Sequence, residues 1–404
     1  MVNSTSHVRT SLDHQIQQLA AFEPTAFPVL SLYLDLSPNQ HGRDQHGSFV
    51  RKALGERVRS LRPNAPERES VDRDAARIEK YLRDEVRPSA NGLAIFACSG
   101  VGFFDAVQLD TPVERHWLFT GQVPHLYPLV RLVDQYPRYA AVMLDTNHAQ
   151  IYVFGLNAVE RETGVINPKS RRSSVGGWSQ ARYQRRADNL HLQHVKDVVE
   201  TLDRIVAEEN LSRIVAIGSD VTVPILHEQL PPRLSEKLVD VIRLDRSAGE
   251  GAILQATLEA LREKDAETDA EHVARMLGAW RAGGLAVAGP AATLEALQLG
   301  HVDELLVAST PQAIAPETPG KVPMTSEPLA VDTSHPAAAD APRLIVADEL
   351  VTRAEQTGAR VRFIEDAALL EPVGGVGALL RFRLSQTPDE AARERASGLQ
   401  VVHE

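Results

Sequence analysis

The chain has one cysteine in 404 residues. A single thiol cannot build a disulfide framework or a thiolate zinc site. Cys98 lies in the apolar run "GLAIFACSG" and reads as a small buried core residue. No run reaches the roughly 18 apolar residues of a membrane span. The amino-terminal "MVNSTSHVRTSLDHQIQQLAAFEP" lacks the basic start and apolar stretch of a signal peptide, so a soluble, cytoplasmic protein is expected. A formal net charge of −11 argues against unspecific coating of nucleic acid. Familiar catalytic motifs are missing too. No Gly-x-Ser-x-Gly elbow surrounds Ser219 in "GSD", which reads as a strand-end turn. "SGVG" (99–102) and "GGVG" (374–377) lack both the six-residue glycine fingerprint and a Walker lysine, and read as turns. His191 and His194 have no Glu-x-x-His companion; they are expected on a solvated or RNA-facing helix surface rather than at a metal.

What is present is charge concentrated in one place. Between Thr163 and Ala187 stand Lys169, Arg171, Arg172, Arg182, Arg185 and Arg186, with no Asp or Glu. That segment carries +6 in 25 residues, leaving −17 on the other 379. Arginine forks suit phosphate oxygens. Gly176-Gly177 permits positive φ and close approach to a ligand, and Trp178 and Tyr183 offer faces on which a base could stack. From the loop alone two readings stand: a charged surface loop, or an RNA-facing tip.

Length favours two or three domains. Periodicity gives an α/β protein in which strands alternate with helices. Leu30, Leu32, Leu34 and Leu36 mark a half-buried strand, and Val50, Leu54, Val58 and Leu61 a helix face. Val71, Ala75, Ile78 and Leu82 repeat the helical pattern, and "LAIFACS" is a buried strand. A hairpin in "RYAAVMLDTNHAQIYVFG" opens a second unit. The basic loop follows, then a long helix from about Tyr183 to Glu209 with Val195, Val198, Val199, Leu202, Ile205 and Val206 inward. "KDAETDAEH" reads as a boundary and a solvated charge run. Residues 311–342 hold seven prolines and no aromatic residue, and are expected to be a mobile loop or one without fixed structure. The expected layout is 1–133, 134–266 and 267–404, each a mixed β-sheet with packed helices.

In this order the motifs resemble the archaeal and eukaryotic class I translation release factors along almost the whole chain. The likeness is greatest to their bacterial relatives and to the peptidyl-tRNA hydrolase of ribosome quality control. In that superfamily a GGQ loop precedes a long helix. Gly176-Gly177 holds the same place here, and Ser179, Arg182, Tyr183 and Arg185 are similar to the family's helix start. "GLAVAGPAATLEALQLGHVDELLV" resembles its third-domain strand–helix–strand, through Ala296, Leu297, Gly300 and Val302, and "GGVGALLRFRL" its closing strand. Trp178 stands where the release factors have their glutamine, so the resemblance carries the glutamine's role to Gln180; Gln184 belongs to the helix. The first domain has no Asn-Ile-Lys-Ser-like decoding motif; "NQHGRDQHG" lies where one would be sought, and stop-codon reading is not expected.

The resemblance implies hydrolysis of the peptidyl-tRNA ester on the ribosome by Gly176, Gly177 and Gln180, without metal or cofactor. Lys169, Arg171, Arg172, Trp178, Ser179, Arg182, Tyr183, Arg185 and Arg186 would meet large-subunit RNA or tRNA, and a translational GTPase would bind the third domain. Two alternatives are a non-catalytic dormancy factor in the A site of vacant ribosomes, and a nuclease cutting the tRNA 3′ end.

Overall fold

The structure, a computed structural model, describes residues 10–37, 46–166, 180–245, 247–315, 326–331 and 341–382. Strand and helix periodicities alternate along the chain, and the result is the expected mixed α/β class, with three sheets among the described residues.

In β1 (Val29–Asp35), Leu30, Leu32 and Leu34 point to one face. There they are buried with Val50 and Leu54 of α2 (His46–Ser60) and Val71 and Ile78 of α3 (Pro66–Asp84). Tyr33 points the other way and meets Phe96 and Phe119 edge-on at 5.9 and 6.3 Å. β1 is flanked by β2 (Gly92–Cys98) and β4 (Trp117–Gly121), and β3 (Phe103–Leu109) pairs with β2, all antiparallel. Helix α1 (Thr10–Ala20) adds buried Ile16 and Leu19. Cys98 is fully buried, as expected, and burial pushes its thiol up. "SGVG" is a single 3₁₀ turn closed by Gly102.

One expectation is corrected at this sheet. The proline-rich stretch supplies a strand, β12 (Ser326–Val331), lying next to β4 in the order β12-β4-β1-β2-β3. Pro328 fits there because an edge strand has positions whose N–H faces no ladder. Pro311–Ala313 form one 3₁₀ turn leading into fully buried Ile314. Residues 316–325 and 332–340 of the stretch lie outside the described residues.

The middle sheet runs β7-β6-β5-β8-β9. After α4 (Tyr127–Gln135), β5 (Tyr139–Leu144) and β6 (His148–Gly155) form the expected hairpin, and β7 (Ala158–Ile166) extends it. β8 (Ile214–Gly218) and β9 (Leu238–Ile242) add parallel strands. The sheet is covered on both faces, which is why "YAAVML" reads as a continuous apolar run. Ala140, Val142 and Leu144 face α5 (Gln180–Glu208), whereas Tyr139, Ala141 and Met143 pack with Ile253 and Leu261 of α8 (Glu250–Arg281). "GSD" is the turn after β8, and α6 (Thr222–Gln229) and α7 (Pro232–Ser235) lead into β9.

The expected boundary stretch "KDAETDAEH" is helical: it lies inside α8, a helix of 32 residues, and the division between the chain's two compact units falls within it, between Asp269 and Ala270. Its Ala, Glu and Lys are strong helix formers, and polarity alone does not end a helix. Nor is the run wholly solvated: Asp269 is buried, and Asp265 accepts from Arg213 at 2.7 Å.

The third sheet, β10-β14-β11-β13, is built from β10 (Ala286–Ala288), β11 (Val302–Ala308), β13 (Arg360–Ile364) and β14 (Val376–Leu380). α9 (Pro290–Gln298) and α10 (Ala341–Thr357) pack beside it, burying Leu294, Leu297, Leu350 and Val351. Of "GGVG", Gly374 and Gly375 form the expected turn, whereas Val376 and Gly377 open β14. A side chain at Gly375 (φ 80°) would put its Cβ 2.3 Å from the Ala313 carbonyl oxygen. Among the described residues, no helix is long and apolar enough to cross a membrane.

Candidate functional site

The basic segment begins on β7 and ends on α5. Ile166, the last residue of β7, pairs with His148 at the mouth of the β5–β6 turn and is 69% exposed. The same end of the sheet holds the carboxyl ends of β5 and β8, where Leu144 pairs with Gly218. Residues 167–179 connect β7 to α5, so Lys169, Arg171, Arg172, Gly176, Gly177, Trp178 and Ser179 lie outside the described residues.

Helix α5 starts at Gln180, three residues before the expected Tyr183. Ala181 and Arg182 are good helix formers, and nothing in "SQARYQRR" interrupts the helix. Gln180 therefore opens the helix, while Arg182, Tyr183, Gln184, Arg185 and Arg186 occupy its first two turns. Helical spacing puts positions 182, 185 and 186 on one stripe and 180, 183 and 184 on the next.

Packing shows which part of α5 is anchored. All six residues expected to face inward, from Val195 to Val206, are buried against β5, β6 and β8. At the carboxyl end, Arg138 donates to Glu160 at 3.0 Å and to the Glu209 carbonyl and carboxylate at 3.1 Å each. Arg161 of β7 reaches Glu208 at 3.0 Å and Glu209 at 3.1 Å. At the other end of the sheet, His194 lies beside the main chain of His148. The 14 residues from His194 to Glu208 therefore span the whole sheet, about 21 Å at 1.5 Å per residue. The 14 residues from Gln180 to His194 are about another 21 Å of helix, and Gln180 stands at the head of this front half, the α5 stalk. A helix amino terminus has N–H groups without intrahelical partners and the positive dipole end, which favour anions.

His194 corrects the solvated surface expected for this histidine pair. Its side chain is 1% exposed, and His191 is half-buried. Burial pushes the His194 pKa below its ordinary 6.5, against the pull of the His148 backbone, Asp197 and Asp145. The unfolded chain takes up this proton more readily than the folded one. The neutral ring's contribution is intact above pH 6.5 and is lost as pH falls through the folded-state value. His194→Phe is accordingly expected to flatten the fall in melting temperature as pH drops below 6.5, which thermal unfolding across pH will read. Among the described residues, no group of three or more His, Cys, Asp or Glu could hold a metal.

Residues 124–262, about a third of the chain, match the family described as bacterial archaeo-eukaryotic release factor family 10. No curated protein matches the sequence. Among solved structures, the archaeal translation termination factor aRF1 is similar at 17% identity, covering 92% of this chain and 98% of its own, with a TM-score of 0.24. Archaeoglobus fulgidus Pelota is similar at 16% identity over 75% of this chain and 83% of its own, TM-score 0.32. A ribosome-bound archaeal Pelota with ABCE1 is similar at 15% identity over 92% and 95%, TM-score 0.40. The matched residues 124–262 include the basic loop and the whole of α5.

Proposed function

We propose that this protein is a ribosome-associated release or rescue factor that hydrolyses the ester between a nascent peptide and its tRNA. The observation that carries the reading is Gln180 at the head of the α5 stalk, inside the 25-residue segment of charge +6. In this reading 1–133, 134–266 and 267–404 are three domains, and the second carries the hydrolytic tip. The reaction is addition of water to an ester carbonyl, so it needs a placed water and stabilisation of the oxyanion and the leaving 3′-oxygen. Gly176 and Gly177 let the backbone approach the ester, and the Gln180 amide orients the water or donates to the developing charge. Each well-placed donor lowers the barrier by about 3 kcal/mol. Lys169, Arg171, Arg172, Arg182, Arg185 and Arg186 hold phosphates, Trp178 and Tyr183 pack on nucleotides, and Ser179 meets the RNA beside them.

Arg185→Ala and Arg186→Ala should each weaken ribosome binding and flatten its dependence on log salt by about one unit per lost phosphate contact. Binding isotherms at several salt concentrations measure this; an unchanged slope would mean that these arginines do not meet phosphate.

One observation favours a second reading. Trp178 holds the family's glutamine position, and Gln180 belongs to the helix rather than to the loop before it. A factor that only occupies vacant ribosomes has no need of a mobile amide at that place. Ribosome-bound peptidyl-tRNA with wild type and Gln180→Ala separates the two, because only a hydrolase frees peptide and loses activity with the amide.

A further inference from the structure

Away from the basic loop, the amino-terminal sheet ends in an edge strand. β3 is the last strand of its sheet, bonded to β2 on one side only. Both ends of that edge are occupied. At Phe103 the ring packs on Phe22, with centroids 4.7 Å apart. At Gln108 the side chain donates to the Tyr81 hydroxyl at 2.8 Å and to the Glu85 carbonyl at 3.0 Å, and accepts from the Arg87 backbone at 2.8 Å. Between them, Phe104–Ala106 border a cavity of 310 Å³ whose far wall is α3. Among the described residues, nothing pairs with the outward backbone of these three.

The helical wall is firmly set. Asp74 of α3 is fully buried and accepts from the Ser99 backbone at 2.8 Å, and Ser70 accepts from Gly100 at 2.8 Å. Toward the cavity α3 presents Arg77, Lys80, Tyr81 and, just past its end, Glu85. The floor is aromatic, with Tyr81 and Phe104 centroids 5.7 Å apart. Cations thus stand at one end and a carboxylate at the other. Lys80 and Glu85 are exposed, and neither side chain has an ion-pair partner among the described residues.

We propose that this groove binds an extended peptide segment of a partner protein, added as a short strand to β3. Three features favour a peptide. The open backbone of an edge strand is what strand addition requires, and a helix beside it supplies side-chain contacts. The lining sets Arg77 and Lys80 against Glu85, unlike the one-signed grooves that track nucleic-acid phosphates; the Asp105 carboxylate is taken up by Gln15 of α1. The Arg77 guanidinium already lies 4.0 Å from the Phe104 centroid, so that ring face is closed to a stacking base. The partner chemistry follows from charge and spacing. Arg77 and Glu85 are eight residues apart on the α3 path, about 12 Å, which an extended strand covers in three to four residues. The segment carries a carboxylate near Arg77 and Lys80, a basic side chain near Glu85, and an apolar side chain between them beside Tyr81.

The test is selection of a phage-displayed library of seven-residue peptides on the full chain. Expected are peptides with Asp or Glu three to four residues from Lys or Arg. A synthetic copy of the best should protect the amides of 104–106 from hydrogen exchange and lose at least tenfold in affinity for Lys80→Glu. The double variant Lys80→Glu/Glu85→Lys should enrich the opposite charge order. Both substitutions are at exposed positions, and circular dichroism checks that they leave the fold intact. The proposal is overturned by no enrichment over background, by protection elsewhere, or by an unchanged charge order in the double variant. Displacement of the peptide by hexauridylate, with 104–106 protected by that RNA instead, would make the groove an RNA site and overturn it equally.

Discussion

Gln180→Ala is expected to slow peptide release from ribosome-bound peptidyl-tRNA by about 10²–10³-fold, the cost of one lost oxyanion-type donor. Alanine is the best helix former, so the substitution removes the amide without loosening the start of α5. Ribosome affinity should hardly change, because Lys169, Arg171, Arg172, Arg182, Arg185 and Arg186 all remain. Gln184→Ala, one turn further down the stalk, should leave release nearly intact. Single-turnover release rates for the three proteins decide the matter. Equal rates for wild type and Gln180→Ala would remove this residue from the chemistry.

Leu202→Ala is expected to destabilise the middle domain by about 2–5 kcal/mol, through lost transfer energy and the cavity left behind. Leu202 is fully buried at the centre of the α5 face that packs on β5, β6 and β8. Among the described residues α5 is held by this face, by the Arg138 and Arg161 ion pairs at its carboxyl end and by the pair between Asp203 and Arg233. Glu200, exposed on the opposite side, is the control; its alanine variant should shift stability by less than about 0.5 kcal/mol. Hydrogen exchange of the β5 and β8 amides reads the loss in the domain concerned. Unchanged protection would mean that α5 is not what closes that face.

The anchored half of α5 was fully legible, because six apolar residues at helical spacing have only one face to bury. The leucine alternation in β1 was legible for the same reason. β7 was not. It follows a two-residue turn at Leu156 and Asn157, both at positive φ, where a leucine gives no turn signal. β12 was hidden because prolines suggest loops, and only the sheet's edge has room for Pro328. The burial of His194 escaped because a histidine on a helix carries no mark of which neighbours will close over it; that is decided by the β5–β6 turn. At the candidate site the sequence shows charge and residue order. The extent of the anchored half needed the sheet, since the positions of His148 and Glu209 mark the part of α5 that packs on it.

The most direct measurement is a single-turnover reaction of the wild-type chain with ribosomes carrying labelled peptidyl-tRNA, resolving peptide and tRNA separately. The predicted result is free peptide together with full-length tRNA, at a rate that saturates with protein concentration. Tight binding without release, or peptide still joined to a shortened tRNA end, would contradict ester hydrolysis by this protein.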